Sequence, residues 1–450
     1  MAKIQQIIAR EILSSGSTPS VEVKVVLETG TIGVASVPYG ASAGISEAFV
    51  LLDGDKIRFM GKGMIKAVEN VNKIIAPVLI GMDVGEVGSQ NAVDQKMIEL
   101  DGTERKTNLG ANAILGVSLA VARASANDQK LPMYRYIRQV FGLEKYGLLP
   151  GSQKPAGEGG CDYVLPNPMM VVIEGGAHAD ESTDLQEYMI SLIGNDSVAE
   201  NVRRGIEIYF TLKKVLKDKG YNSNVGNEGA FAPNGLPSNE TPLELIKEAV
   251  EKSGYIFGKD VGISLDPAVS EIYENEKYEL AKDGKNLNSD EMINYFVSWI
   301  NNYPIITLED ALAETDWQAW PKLTEKVGDK IAIVGDDLTV TNPKLLQKAI
   351  DLKAINSILI KLNQIGTLSE TVECCMLARQ NGIMTIISHR GGGETNDTTM
   401  IDLAVAVNAG FVKVGPSRGE RVEKYNRLME IETELAGNCT VAGSNFRKII

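Results

Sequence analysis

Six polar residues stand where an apolar run stops. Asp266 follows Ile263-Ser264-Leu265, Glu309 follows Ile305-Ile306-Thr307-Leu308, and Asp336 follows Ile331-Ala332-Ile333-Val334-Gly335. Lys361 follows Ile358-Leu359-Ile360, His389 follows Met384-Thr385-Ile386-Ile387-Ser388, and Lys413 follows Phe411-Val412. Singly, none is informative, since an Asp after a strand is commonly a turn residue or a helix N-cap; Asp337, beside Asp336, reads that way. Together they sort along the chain as three carboxylates and then three bases. Carboxylates with no Cys or His beside them suit a hard divalent cation, Mg²⁺ first, with positions left for substrate oxygens. Lys361, the His389-Arg390 pair and Lys413 suit an anionic substrate, the guanidinium as a fork and the ammonium as a point charge. A lysine beside a metal and a second cation is expected to have a depressed pKa, and a neutral lysine is a general base. Metal charge would stabilise the enolate left when a proton is removed next to a carboxylate.

What must position the six is a repeat. The intervals between them are 43, 27, 25, 28 and 24 residues, and a strand with its crossover helix takes roughly 25–30 residues or more. Helical patterns fill the gaps, as at Leu368 to Arg379 and Asp402 to Val407. Repeated units with continuously apolar strands predict a parallel sheet, and this many predict a (β/α)8-type barrel. In such a barrel the residues at the C-terminal ends of the strands converge on one mouth. The first 140 or so residues read differently. Residues 21–27 and 31–37 are β-rich around a turn at Gly30-Thr31. Ile65, Val68, Val71, Ile75 and Val78 recur at helical spacing, and an Ala- and Leu-rich helix runs from Ala111 to about Ala126. Residues 146–162 hold Pro150, Pro155 and five glycines without any period, which predicts a linker or insertion between two units.

Composition narrows the function classes. The 450 residues carry a net charge of −14, against a nucleic-acid or anionic-membrane partner, both of which need clustered Lys and Arg. A local basic pocket for a small anion is compatible with it. Four scattered cysteines, Cys161, Cys374, Cys375 and Cys439, form neither a disulfide framework nor a zinc pattern, so a reducing, cytoplasmic setting is expected. Met1-Ala2-Lys3-Ile4-Gln5-Gln6 opens no secretory leader pattern, and no run of about 18 apolar residues is present. The chain has only two histidines, His178 and His389.

Ordered motifs extend over nearly the whole chain. They include Val37-Pro38-Tyr39-Gly40-Ala41-Ser42-Ala43-Gly44, Leu100-Asp101-Gly102-Thr103-Glu104, Gly110-Ala111-Asn112-Ala113-Ile114-Leu115 and Gln186-Glu187-Tyr188-Met189. They continue with Ile360-Lys361-Leu362-Asn363-Gln364-Ile365-Gly366, Ser388-His389-Arg390 and Arg421-Val422-Glu423-Lys424-Tyr425-Asn426. In these the chain resembles the enolase family, the phosphopyruvate hydratases of glycolysis and gluconeogenesis, whose superfamily pairs a basic residue with Mg²⁺ at an enolate-forming centre. The resemblance implies an α+β capping domain over residues 1–143. It implies an α/β fold for residues 144–450, a (β/α)8-type barrel with one antiparallel strand. It implies reversible dehydration of 2-phosphoglycerate to phosphoenolpyruvate with two Mg²⁺ ions per site, by a homodimer or an octamer of dimers. By the same match Lys361 is the base at carbon 2, and Glu228 is the acid at the 3-hydroxyl, assisted by Glu187 and His178. Asp266, Glu309 and Asp336 are ligands of the tighter metal, and Ser42 closes over the second. Gln186, His178, Glu187, Lys361, His389, Arg390, Gly391 and Lys413 contact substrate.

Departures from the family pattern gather near these positions. The family usually has Ser at Tyr39, Thr at Ala43, Asn at Glu174 and Glu181, Gly at Ala311, and Asp-Glu-Gly-Gly at Asn227-Glu228-Gly229-Ala230. Gly391-Gly392-Gly393-Glu394 replaces Ser-Gly-Glu, and Lys413-Val414-Gly415-Pro416-Ser417-Arg418 is one residue shorter than usual. The lost serine hydroxyl removes one donor to phosphate, worth roughly 1.5–3 kcal/mol, for which the Gly391 backbone N–H is a substitute. Glu174 adds negative charge near an anion site, which is unfavourable unless the side chain turns away. Two alternatives follow: a diverged enzyme acting on a related phosphorylated or carboxylated acid, and a weakly active enolase-like binding protein. Retention of both Lys361 and Glu228 argues against the second.

Overall fold

The computed structural model describes residues 2–40, 44–143, 163–194 and 197–443. Ser42 and the Gly/Pro-rich stretch at 146–162 therefore lie outside the described residues. The N-terminal unit is built on β1 (Ala2–Leu13), β2 (Pro19–Leu27), β3 (Ile32–Ser36) and β4 (Asp83–Val84), an antiparallel sheet ordered β3-β2-β1-β4. The sequence pattern foretells β2 and β3 but not β1. A register shift between Ile4 and Gln6 breaks its alternation, so that Ile4, Ile7 and Ala9 are buried without a clean period of two. The helix Ala111–Asp128 lies against β2 and β3 and is buried on nearly every side. The apolar pattern at 65–78 becomes Ile65–Asn70, a wider turn at Val71–Ile75, and Ala76–Leu79.

The remainder contains β5 (Tyr163–Leu165), β6 (Asn167–Glu174), β7 (Glu187–Leu192) and β8 (Val261–Asp266). A small antiparallel sheet follows, of β9 (Tyr273–Glu274), β10 (Lys277–Leu280) and β11 (Lys285–Leu287). Then come β12 (Ile305–Glu309), β13 (Ala332–Gly335), β14 (Ser357–Ile360), β15 (Met384–Ser388), β16 (Phe411–Val414) and β17 (Cys439–Val441). Eight of these close a barrel in the order β12-β13-β14-β15-β16-β6-β7-β8, and β5 pairs with β17 outside it. All barrel pairings are parallel except the two made by β7, which runs backwards between β6 and β8. The barrel is plugged by Met169, Val171, Met189, Ile306, Val334, Leu359, Ile386 and Phe411, which form one buried cluster.

The plug sets the position of the chemistry. Side chains alternate along a strand, so a residue two beyond an inward apolar one also points inward. Val334 is followed in this way by Asp336, Leu359 by Lys361 and Phe411 by Lys413. Asp266 and Glu309 end their strands, while Asp336, Lys361 and His389 come one residue after theirs. Lys413 differs from the expected pattern: it lies inside β16, one residue short of its end. Its ammonium therefore sits at the level of the strand-terminal carboxylates.

The N-terminal unit is fixed to the barrel through buried polar groups. Lys106 Nζ lies 3.0 Å from Glu370 Oε1, Arg123 Nη2 donates to Thr399 Oγ1 at 2.6 Å, and Leu368 N–H donates to Ser118 Oγ at 3.0 Å. No helix among the described residues is long and apolar enough to cross a membrane, and Cys374 and Cys375 are buried free thiols. The plug gives a direct test. Phe411→Ala is expected to lower stability by about 3–5 kcal/mol, read by denaturant unfolding. It should also depress activity, because the cavity opens directly beneath Lys413.

Candidate active site

The first residue of β7 reaches the mouth only because that strand is reversed. Glu187 pairs with Asp266 on one side and Glu174 on the other. The Lys413 ammonium lies between three of the mouth carboxylates, 2.6 Å from Asp266 Oδ2, 2.7 Å from Glu309 Oε1 and 3.1 Å from Glu187 Oε2. Burial opposes its charge, but Asp266, Glu187 and Glu309 together hold Lys413 well above the usual lysine range. One ammonium does not neutralise three carboxylates. Burial therefore keeps Glu187 and Glu309 well above the ordinary carboxylate range although Lys413 pulls the other way.

Lys361 is ion-paired to Asp336 Oδ2. The Lys361 pKa is raised, because Asp336 and Glu309 together outweigh burial, the largest single effect, and the repulsion from Arg390 and Lys413; the depression expected beside a metal concerns the metal-loaded site. Asp336 is in turn lowered: burial opposes its charge most, and Lys361, Lys413 and Arg390 together outweigh it. Its Oδ1 accepts from Gln364 Nε2 at 2.8 Å. Asp310 takes the backbone N–H of Asp336 at 3.0 Å and that of Asp337 at 2.9 Å. Asp337 caps no helix, since the next one starts at Pro343; it lines the cleft instead.

The opposite side of the mouth is built on Glu228. His389 Nε2 lies 3.2 Å from Glu228 Oε2, and His178 Nδ1 lies 3.9 Å from Glu228 Oε1 and 3.5 Å from Glu187 Oε1. Burial disfavours charge on Glu228, yet His389 and Arg421 together hold it well below the ordinary carboxylate range. Burial pushes His178 below the usual histidine range. Gly391 approaches so closely that a Cβ there would stand 2.3 Å from Glu228 Oε1. The chain thus has no room for a side chain at the position where the resemblance expects a serine. Glu174 does turn away from the cleft: its carboxyl accepts the N–H of Glu228 at 3.1 Å and of Ala230 at 2.6 Å.

His178, Gln186, Glu187, Glu228, Asp266, Asp336, Lys361, His389, Arg390, Gly391 and Lys413 line a single cleft. Its space, open mouth included, is about 540 Å³. Glu309 is fully buried beneath, in contact with Lys413. Ser42 alone among the expected residues lies outside the described residues. The sequence reading passed over Glu47, Gln364, Asp310, Arg421 and the placement of Glu174. Glu47 accepts from Arg390 Nη2 at 2.9 Å and Gln364 Nε2 at 3.4 Å, so the N-terminal unit brings a carboxylate to the cleft, beside the backbone of Gly40, where an added Cβ would stand 2.6 Å from Arg390 Nη2. A lone Glu in a loop carries no local signal of such a contact. Arg421 was visible only as part of a motif.

The family of the chain can now be stated. Residues 162–450 match the family model described as Enolase, C-terminal TIM barrel domain. Residues 4–137 match the one described as Enolase, N-terminal domain. This chain belongs to the enolase family.

Enolases typically take Mg²⁺, and the fit can be tested on the side chains. Asp266 Oδ1 and Glu309 Oε2 are buried oxygens with no hydrogen-bond partner, which suits a hard cation. Among the described residues, three ligand atoms come within 4.8 Å of one another at His178, Glu187 and Glu228, and again at Asp310, Asp336 and Asp337. Asp266 and Glu309 are held by Lys413, and Asp336 by Lys361.

Removing the Lys413 charge tests this arrangement. In EDTA, Lys413→Met is expected to lose about 3–5 kcal/mol at pH 7, because three buried carboxylates lose their counter-charge. A carboxyl with a raised folded-state pKa costs stability as pH climbs above its unfolded value, and the substitution raises Glu187 and Glu309 further. The deficit against wild type should therefore shrink from pH 7 to pH 5. Thermal denaturation at both pH values measures it, and an unchanged deficit would refute the account.

Proposed function

We propose that this enolase-family chain is a hydro-lyase that interconverts 2-phosphoglycerate and phosphoenolpyruvate. The observation that carries the reading is the placement of Lys361 and Glu228 in one buried cleft above a layer of carboxylates with unpaired oxygens. One group is suited to take a proton and the other to give one.

In this mechanism the Lys361 amine removes the proton from carbon 2, and the electron pair moves onto the substrate carboxylate. The 3-hydroxyl then leaves as water with a proton from Glu228, while the electron pair returns from the carboxylate to form the double bond between carbons 2 and 3. His178 Nδ1 lies 3.9 Å from Glu228 Oε1 and 3.5 Å from Glu187 Oε1, so that His178 and Glu187 orient that carboxyl. His389 Nε2 faces the other Glu228 oxygen at 3.2 Å. A bound anion offsets the positive neighbours that hold Glu228 ionised, which returns Glu228 toward the protonated form. Arg390 grips the phosphate as a fork with help from the Gly391 N–H, while Gln186 and Lys413 fix the carboxylate end. Asp266, Glu309 and Asp336 would hold Mg²⁺, with Ser42 at a second ion; when bound, the metal supplies charge that stabilises the enolate and weakens the hold of Asp336 on Lys361.

Phosphoenolpyruvate formation from 2-phosphoglycerate, followed by absorbance with Mg²⁺, tests the reading. Lys361→Ala is expected to lower kcat by about 10²–10⁴-fold, and EDTA to abolish turnover. A wild-type protein without turnover would overturn the assigned reaction. Turnover that survives Lys361→Ala would overturn the assignment of the base.

A further inference from the structure

We propose that Glu174 is a positioning residue for Glu228, acting through the backbone of residues 226–230. The inference rests on the proposed dehydration and concerns a residue outside the proton-transfer set. Glu174 is the last residue of β6 and is fully buried. Its two carboxyl oxygens go to one loop: Oε2 accepts the Glu228 N–H at 3.1 Å and Oε1 the Ala230 N–H at 2.6 Å. Its backbone serves the same loop, since Glu174 N–H donates to Phe231 O at 2.8 Å and Phe231 N–H returns to Val172 O at 3.0 Å.

The loop has closed on this carboxyl with no slack. A Cβ on Gly226 would stand 2.3 Å from Glu174 Oε2 and 2.7 Å from His178 O. His178 O also accepts the Asn227 N–H at 3.0 Å. The backbone that carries Glu228 is therefore pinned from one side by Glu174 and from the other by the loop of His178. Among the described residues Glu174 makes no ion pair, so both oxygens are committed to positioning. Residue type matters here. A carboxyl offers two acceptors, whereas Gln or Asn offers one acceptor and an NH₂ that would face an N–H.

The two halves of the reaction separate this role from general structural damage. Removal of the carbon 2 proton needs Lys361, and loss of the hydroxyl needs Glu228. With full-length protein and Mg²⁺, exchange of the carbon 2 hydrogen of 2-phosphoglycerate in D₂O is followed by NMR beside phosphoenolpyruvate formation. Glu174→Gln is expected to lower kcat for dehydration by about 10–100-fold. KM and hydrogen exchange should stay within about twofold. In a Glu228→Gln background the same change should cost no more than about twofold further, because its route through Glu228 is already cut. Glu174→Ala should reproduce the split with a larger loss in kcat. Wild-type kcat in Glu174→Gln, or equal slowing of exchange and dehydration, would overturn the proposal. A wild-type protein that performs neither half-reaction would overturn the proposed dehydration and this inference with it. An active wild type with an unaffected Glu174→Gln would overturn this inference alone.

Discussion

The active-site end of this barrel depends on one buried ammonium. Lys413 stands among Asp266, Glu309 and Glu187 with contacts of 2.6, 2.7 and 3.1 Å. Unpaired carboxylates in a dry interior are too costly to hold, so without this charge the mouth could not carry its acidic layer. Such a cluster is weak evidence for stability, since a well-packed apolar replacement often does as well. Because Lys413 lies within β16 and not beyond it, the ammonium stands level with the carboxylates it pairs, and Asp266 Oδ1 and Glu309 Oε2 keep no hydrogen-bond partner.

A second chain of contacts joins the two units of the molecule. Glu47 from the N-terminal unit meets Arg390 and Gln364, Gln364 meets Asp336, and Asp336 meets Lys361. Lys361, Arg390 and the N-terminal unit are thereby linked through buried, charge-assisted hydrogen bonds. A shift of the N-terminal unit would be felt at Arg390 first and at Lys361 through Asp336.

The departures from the family pattern fall mostly on the other side of the cleft, around Glu228. Gly391 has no space for a Cβ, and Glu174 occupies the loop that carries Glu228. Both substitutions are accommodated by the same local geometry: the loop at 226–230 and the loop at 391–393 press on Glu228 from two directions. On the side of Asp336, Lys361 and Lys413 the side chains themselves are the expected ones, and the departures are Ala311 and the shortened segment after Lys413.

Much of the fold was legible in the sequence because its signals are local. Apolar runs ending in polar residues at intervals near one βα unit predicted the barrel and placed Asp266, Glu309, Asp336, Lys361, His389 and Lys413 at its mouth. The period of two along a strand decides which side chains face inward, and it requires no knowledge of distant residues. The resemblance then supplied His178, Gln186, Glu187 and Glu228, which sit in loops or at a strand start and carry no periodic signal. The bulge in β1, the role of Glu47 and the orientation of Glu174 escaped both approaches. So did the direct contact of Lys361 with Asp336, since residue types do not say which charges touch. Sequence alone determined which residues could reach the mouth. Only the tertiary structure decided which charges meet there, because ion pairing acts over a few ångströms between residues tens to hundreds of positions apart in the chain.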